Sequence, residues 1–81
     1  MSSKRTKAAI GLRISWCRGE VKPSMTQDEL AIKIGVSRAK MGFIEHSKVV
    51  DPEVLKACCD AMGVTVEFLE SDSWTMPEGG A

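Results

Sequence analysis

Residues Gln27–His46 read QDELAIKIGVSRAKMGFIEH, and this stretch decides the fold. Thr26 precedes it, and Thr26-Gln27-Asp28-Glu29 is a capping box. The Thr26 hydroxyl can accept from the Glu29 amide while the Glu29 carboxylate reaches back to the Thr26 amide. Leu30, Ala31 and Ile34 then form the inner stripe of a helix. Gly35 supplies the left-handed residue that stops it. Ser37 is the N-cap of the next helix, whose inner stripe is Met41 and Ile44 and whose end falls near Glu45. The two helices meet across the three-residue turn Gly35-Val36-Ser37. Ala31 sits where they cross, so a larger side chain there would force them apart. Leu30, Ile34, Val36, Met41 and Ile44 are the inward positions that lock the pair at a steep angle.

Outward from this pair the chain continues as short helices. Ile10, Ile14 and Cys17 recur at i, i+4 and i+7, which predicts a first helix from about Lys7 to Arg18. Gly19 and Pro23 bracket the loop expected to end it. Asp51-Pro52 is a start signal, an N-cap followed by proline at the first helical position. Val54, Leu55, Cys58, Cys59 and Met62 form the apolar face of that fourth helix, and Gly63 closes it. Thr65 can cap a short fifth helix holding Val66, Phe68 and Leu69. Residues 1–6 read as a flexible basic arm and residues 71–81 as a turn-rich tail. The expectation is an all-α domain of five short helices over residues 7–70, with no strand and no internal repeat.

Composition bounds the function. The chain has 81 residues, room for one small domain. Its 43% hydrophobic content is ordinary for a soluble globular chain. No run approaches the ~18 apolar residues of a membrane span, and the basic N-terminus lacks the apolar run of a signal peptide. A cytoplasmic location is therefore expected, with no membrane partner. The net charge is zero, but its distribution is uneven. Residues 1–48 carry ten basic and four acidic side chains; residues 49–81 carry one basic and seven acidic. Such a dipole fits one face turned to a polyanion and another to solvent or a partner. Three cysteines and one histidine, with no Cys-x-x-Cys, do not make a disulfide framework or a metal site. The adjacent Cys58 and Cys59 could form a redox sensor, but their place on an inner helix face argues for inert packing. No nucleophile–base pair, carboxylate dyad or phosphate-binding glycine loop is present, so neither an enzyme nor a cofactor is expected.

A small residue, a glycine four positions later, then apolar residues one, six and nine positions beyond it make up the helix-turn-helix pattern, here Ala31, Gly35, Val36, Met41 and Ile44. Around it the chain resembles the Cro and phage-repressor family, also called the Xre family, over roughly residues 8–70. The opening pattern is carried by Ile10-Gly11-Leu12-Arg13-Ile14 and Arg18. The central pattern is carried by Thr26-Gln27-Asp28-Glu29-Leu30-Ala31, Gly35-Val36-Ser37-Arg38 and Ile44-Glu45. Met62-Gly63-Val64-Thr65-Val66 and Leu69 carry the closing one. The resemblance implies a five-helix, lambda-repressor-like fold and sequence-specific binding of double-stranded DNA, usually as a homodimer on a near-palindromic site.

Carried over by position, Arg38 and Ala39 lead the base readers. Arginine can donate twice to guanine O6 and N7, and an alanine methyl can pack on a thymine methyl. Lys40 reads a base or holds a phosphate. Phe43 stands where the family often has a long polar reader, and either touches thymine methyls or flanks the backbone. Gln27 and Ser37 match positions that hold the DNA backbone, although capping alone would account for Ser37. Ser47 and Lys48 are expected phosphate contacts, and Lys4, Arg5 and Lys7 could add non-specific attraction. His46 reads as a loop residue on the same side. Arg18 and Glu45 match a pair that bridges the first and third helices, with Arg18 keeping a charge near the phosphates. Two departures stand out. Gly42 lies inside the recognition helix, where glycine costs about 1 kcal/mol relative to alanine; it removes one reader and can allow close approach to DNA. The loop from Gly19 to Ser24 is long for the family, and its Lys22 could reach a phosphate.

The chain also carries surplus apolar residues: Trp16, Ile32, Phe68 and Trp74. Val64, Val66, Phe68 and Trp74 could form a self-complementary dimer patch; the alternative is that Phe68 packs under the tail of its own chain. Two functional expectations follow. One is a small transcriptional regulator, most simply a repressor, of the size of phage Cro-like, plasmid or restriction–modification controller proteins. The other is an antitoxin-type module that binds a protein partner and regulates its own operon.

Overall fold

The computed structural model describes residues 8–71 and Trp74. Five helices follow one another: α1 (Ile10–Glu20), α2 (Gln27–Ile34), α3 (Arg38–Glu45), α4 (Pro52–Met62) and α5 (Val66–Glu70). Among the described residues there is no strand. The all-α, five-helix fold with a helix-turn-helix is the one expected. The basic arm, residues 1–6, and Lys7 lie outside the described residues, as does the tail apart from Ser71 and Trp74. None of the described helices is long and apolar enough to cross a membrane.

Local signals set most of the boundaries. The Thr26 Oγ1 accepts from the Glu29 amide at 3.1 Å, and the Thr26 amide donates to Glu29 Oε1 at 2.8 Å. The reciprocal pair satisfies two of the amides that a helix start leaves open. Ser37 accepts from the Lys40 amide, Asp51 from the Glu53 amide and Thr65 from the Phe68 amide. Gly35 and Gly63 end α2 and α4 at φ of 80° and 76°, the left-handed region that costs glycine little.

The first helix departs from expectation. It starts at Ile10, with Ala9 as its N-cap, and runs to Glu20. Gly19 therefore sits inside the last turn and does not end the helix. The Val21 amide still closes onto the Cys17 carbonyl at 3.0 Å, so the turn continues through the glycine.

The core is built from Ile14, Leu30, Met41, Cys58 and Leu69, each fully buried, with Ala31, Ile44 and Leu55 around them. All three cysteines are free and buried. Burial, with the neighbouring Cys59 and Glu45 adding to it, pushes the Cys58 thiol up to about 12. Cys59 is raised, again chiefly by burial, to about 11. Burial and then the charge of Glu20 raise Cys17. Thiols held protonated in this way are packing groups, not nucleophiles.

One charged residue is used as a structural tie. Arg13 is buried, and its guanidinium faces carbonyls. Nε donates to Ala8 O at 2.9 Å, and one terminal nitrogen donates to Leu69 O at 2.9 Å and Ser71 O at 3.2 Å. It thus supplies donors to the C-terminal carbonyls of α5, where a positive charge also meets the negative end of the helix dipole. Arg13→Met should fill much of the same volume but leave buried carbonyls unsatisfied. A loss of about 2 kcal/mol in unfolding free energy is expected in urea titration; an unchanged midpoint would mean that water replaces the guanidinium.

Candidate nucleic-acid interface

Helix α3 presents two unlike faces. Met41, Ile44 and Glu45 are buried, whereas Arg38, Ala39, Lys40 and Phe43 are exposed. Phe43 is 70% exposed, a large apolar side chain that the core does not use. Gly42 lies between these faces, and a Cβ added there would meet nothing within 4 Å. The fold does not need a glycine at this position, although glycine in a helix costs about 1 kcal/mol relative to alanine.

The angle of α3 is fixed by a buried carboxylate. Glu45 Oε2 accepts from Arg18 Nε at 2.7 Å, and Oε1 accepts from a second Arg18 nitrogen at 3.1 Å. The Gln27 side-chain amide donates to the same Oε1 at 3.1 Å. A further Arg18 nitrogen donates to the Met25 carbonyl at 3.2 Å. One carboxylate thus joins α1, the start of α2 and the end of α3. The Arg18–Glu45 geometry is the forked pairing that gives a charge-assisted bond its direction. Gln27, expected at the DNA backbone, spends its amide on this node, and the charge of Arg18 is matched by Glu45. The sequence pattern held the Arg18–Glu45 pair; the third member, Gln27, is a finding of the structure.

Above this node sit the starts of α2 and α3. Arg38 lies 3.9 Å from Asp28, but both side chains are largely exposed, so water screens the pair and leaves the guanidinium free to turn. Ser37 only accepts in its cap, so its hydroxyl proton remains available. Ser47 differs: its hydroxyl donates to the Phe43 carbonyl at 2.8 Å. Its proton is committed to the end of α3 and is not offered outward. The His46 ring nitrogen Nδ1 likewise pairs with the Gly42 carbonyl at 2.8 Å. Lys48 is exposed just beyond.

Lys22 is not part of this cluster. It lines a groove with Lys33, Asp60, Ala61 and Gly63, toward the C-terminal ends of α2 and α4. None of the other expected DNA contacts lines that groove. Conversely, Val49 is 83% exposed and was not singled out by the sequence pattern. It borders a groove with Lys40, Phe43, Val50 and Val54. Nothing in its spacing marks it, because it stands in the loop between two helices.

The expected dimer residues make contacts within one chain. Trp74 stands edge-on to Phe68, with ring centroids 5.5 Å apart, and stacks on Trp16 at 6.5 Å. Its indole nitrogen donates to the Phe68 carbonyl at 3.0 Å, and its own carbonyl accepts from the Ala8 amide at 3.0 Å. Val64 and Val66 are half-buried against the core, and Phe68 remains 49% exposed. The alternative in which Phe68 packs under the tail describes these intrachain contacts.

Neither a family model nor a curated protein matches the chain. Among solved structures, the chain is similar to one in the SinR protein/SinI protein complex, with 31% identity over 78% of this chain and a TM-score of 0.61. It spans 61% of that chain's length. The likeness and the geometry above agree on one conclusion: this is a five-helix domain of the helix-turn-helix fold, similar to a chain from a complex of two proteins.

Proposed function

We propose that the chain is a sequence-specific, double-stranded-DNA-binding transcriptional regulator, a repressor acting as a homodimer on a near-palindromic operator. The observation that carries this reading is the two-faced α3: Arg38, Ala39, Lys40 and Phe43 are exposed, while the opposite face is buried and tied down through Glu45. In this reading α3 enters the major groove. Arg38 reads a guanine, and Lys40 a base or a phosphate. Ser37 and Lys48 hold the backbone, and Arg18 and Gln27 act mainly as positioning residues through Glu45. Residues 7–70 form the binding domain, 1–6 a basic arm and 71–81 a tail. The half-exposed Phe68, with Val64, Val66 and Trp74 around it, is the proposed dimer contact. The acidic side chains of the second half face away from the DNA, except Asp51, whose carboxylate caps α4.

A second reading has its own support. The similar solved chain comes from a complex of two proteins. The chain would then be an antitoxin-type module that binds a protein partner through the apolar surface around Trp74 and regulates its own operon.

Fluorescence anisotropy across a salt series, with DNA from upstream of the chain's own gene, separates these readings. The wild-type chain is expected to bind tightly with a steep salt dependence. Arg38→Ala should cost about 1–3 kcal/mol on the site and little on a scrambled duplex. Weak binding, equal for every duplex and unchanged by Arg38→Ala, would favour the protein-partner reading.

A further inference from the structure

The exposed face of α3 has cations at its edges and no hydrogen-bonding side chain along its middle. Ala39, Gly42 and Phe43 follow at i, i+3 and i+4, so they are surface neighbours. Phe43 at 70% and Val49 at 83% are among the most exposed large apolar side chains of the described residues. Both line the groove that runs from Lys40 past Ser47 to Val54. Asp51 also borders this groove, but its carboxylate accepts from the Glu53 amide as a helix cap. Arg38, Lys40 and Lys48 flank the apolar patch, which suits a polyanion and not an apolar protein surface.

On DNA, such a face has one favourable partner. The base edges in the major groove offer polar donors and acceptors; apart from the flat C5–H of cytosine, the C5 methyl of thymine is the apolar group that projects there. An apolar face laid over a polar edge strips its water and returns no hydrogen bond. Laid over a thymine methyl, the same face buries carbon against carbon. The absence of a side chain at Gly42 leaves room for that methyl beside the Phe43 ring.

From these observations we infer that each half-site carries a thymine whose C5 methyl packs on the Ala39–Gly42–Phe43 face, with Val49 closing the apolar edge. This rests on the DNA-binding reading above and adds to it the base that the middle of α3 selects.

The test begins with a random duplex pool selected by the purified full chain. The pool should converge on a motif with a fixed thymine in each half. That motif is then synthesised with uracil at the thymine, which keeps the pairing and removes only the methyl. Binding should weaken about fourfold for each methyl lost. With Phe43→Ala, binding to the thymine duplex should weaken and the thymine–uracil difference should shrink. Phe43 is outside the core, so this variant folds. Gly42→Ala should raise Tm and yet weaken binding to the selected site, because the added methyl occupies the space of the thymine's. Convergence on a motif that binds equally well with uracil, or that holds no fixed thymine, overturns this inference and leaves the DNA reading standing. A pool that does not converge overturns both.

Discussion

Gly11→Ala is expected to lower the unfolding free energy by about 3 kcal/mol, toward the upper end of what overpacking costs. A Cβ at this position would run into the Ile44 carbonyl oxygen, would lie 2.7 Å from the Ser47 carbonyl oxygen and 2.9 Å from the Glu45 carbonyl carbon. All three are backbone atoms at the end of α3, so no side chain can rotate away. The Gly11 amide also donates to the Ser47 carbonyl at 3.1 Å, which pins the two backbones together. The helices must separate to admit one methyl group. For a domain of this size the expected fall in Tm is on the order of 15 °C. Gly19→Ala is the control within the same helix. A Cβ there meets nothing within 4 Å. That variant should be neutral or more stable, by up to about 1 kcal/mol. Thermal unfolding of the two variants side by side checks the claim, and equal effects would contradict the close crossing of α1 and α3.

Removing the carboxylate of Glu45 is the second large perturbation. Glu45→Ala takes away the acceptor for two Arg18 nitrogens and for the Gln27 amide. Loss of one partner from a buried pair typically costs about 3–5 kcal/mol. The Arg18 side chain is 20% exposed and so can recover some water. A loss of about 2–3 kcal/mol is therefore expected. A double-mutant cycle with Arg18→Met measures the pair directly, and a coupling near zero would remove it as the tie between helices. On the DNA reading there is a second, opposite effect. Freed of its counter-charge, Arg18 adds to the positive field near the start of α2. Binding to scrambled duplex should strengthen with a steeper salt dependence, while binding to the selected site weakens because α3 loses its fixed angle. Specificity falls from both sides.

These two variants act through contacts of different legibility. Arg18 and Glu45 were recognisable as a pair from the pattern that the chain resembles, but the Gln27 amide on the same oxygen was not. The pattern names positions, not the number of donors that one carboxylate gathers. Of the residues expected at DNA, Arg38, Ala39, Lys40 and Phe43 share the exposed face of α3. That follows from helical periodicity, since the inward positions of a short helix define the outward ones. Ser47 and Lys22 could not be read in the same way. The Ser47 proton goes to the Phe43 carbonyl, and the loop holding Lys22 turns it toward α4. Val49 became a candidate only through its exposure.

Whatever depends on neighbours within about one helical turn could be read along the chain. The caps at Thr26, Ser37, Asp51 and Thr65, the turns at Gly35 and Gly63, and the inner stripes of α2, α3 and α4 are of this kind. Each is settled by hydrogen bonds and side-chain spacing over a few residues, so the order of five helices was already determined there. The two ends of α1 are the exception, because no side chain caps its start at Ala9 and a glycine can stop a helix or sit in its last turn. Tertiary structure alone decided which residues far apart in sequence share an atom's surroundings. Arg13 ties to Leu69 across 56 positions, Gly11 meets the end of α3, and Trp74 lies on Phe68 and Trp16. Such contacts carry no periodic signal, since they arise only when packing brings distant backbone within reach. Among them the Gly11 contact, together with the carboxylate of Glu45, fixes the angle at which α3 is presented.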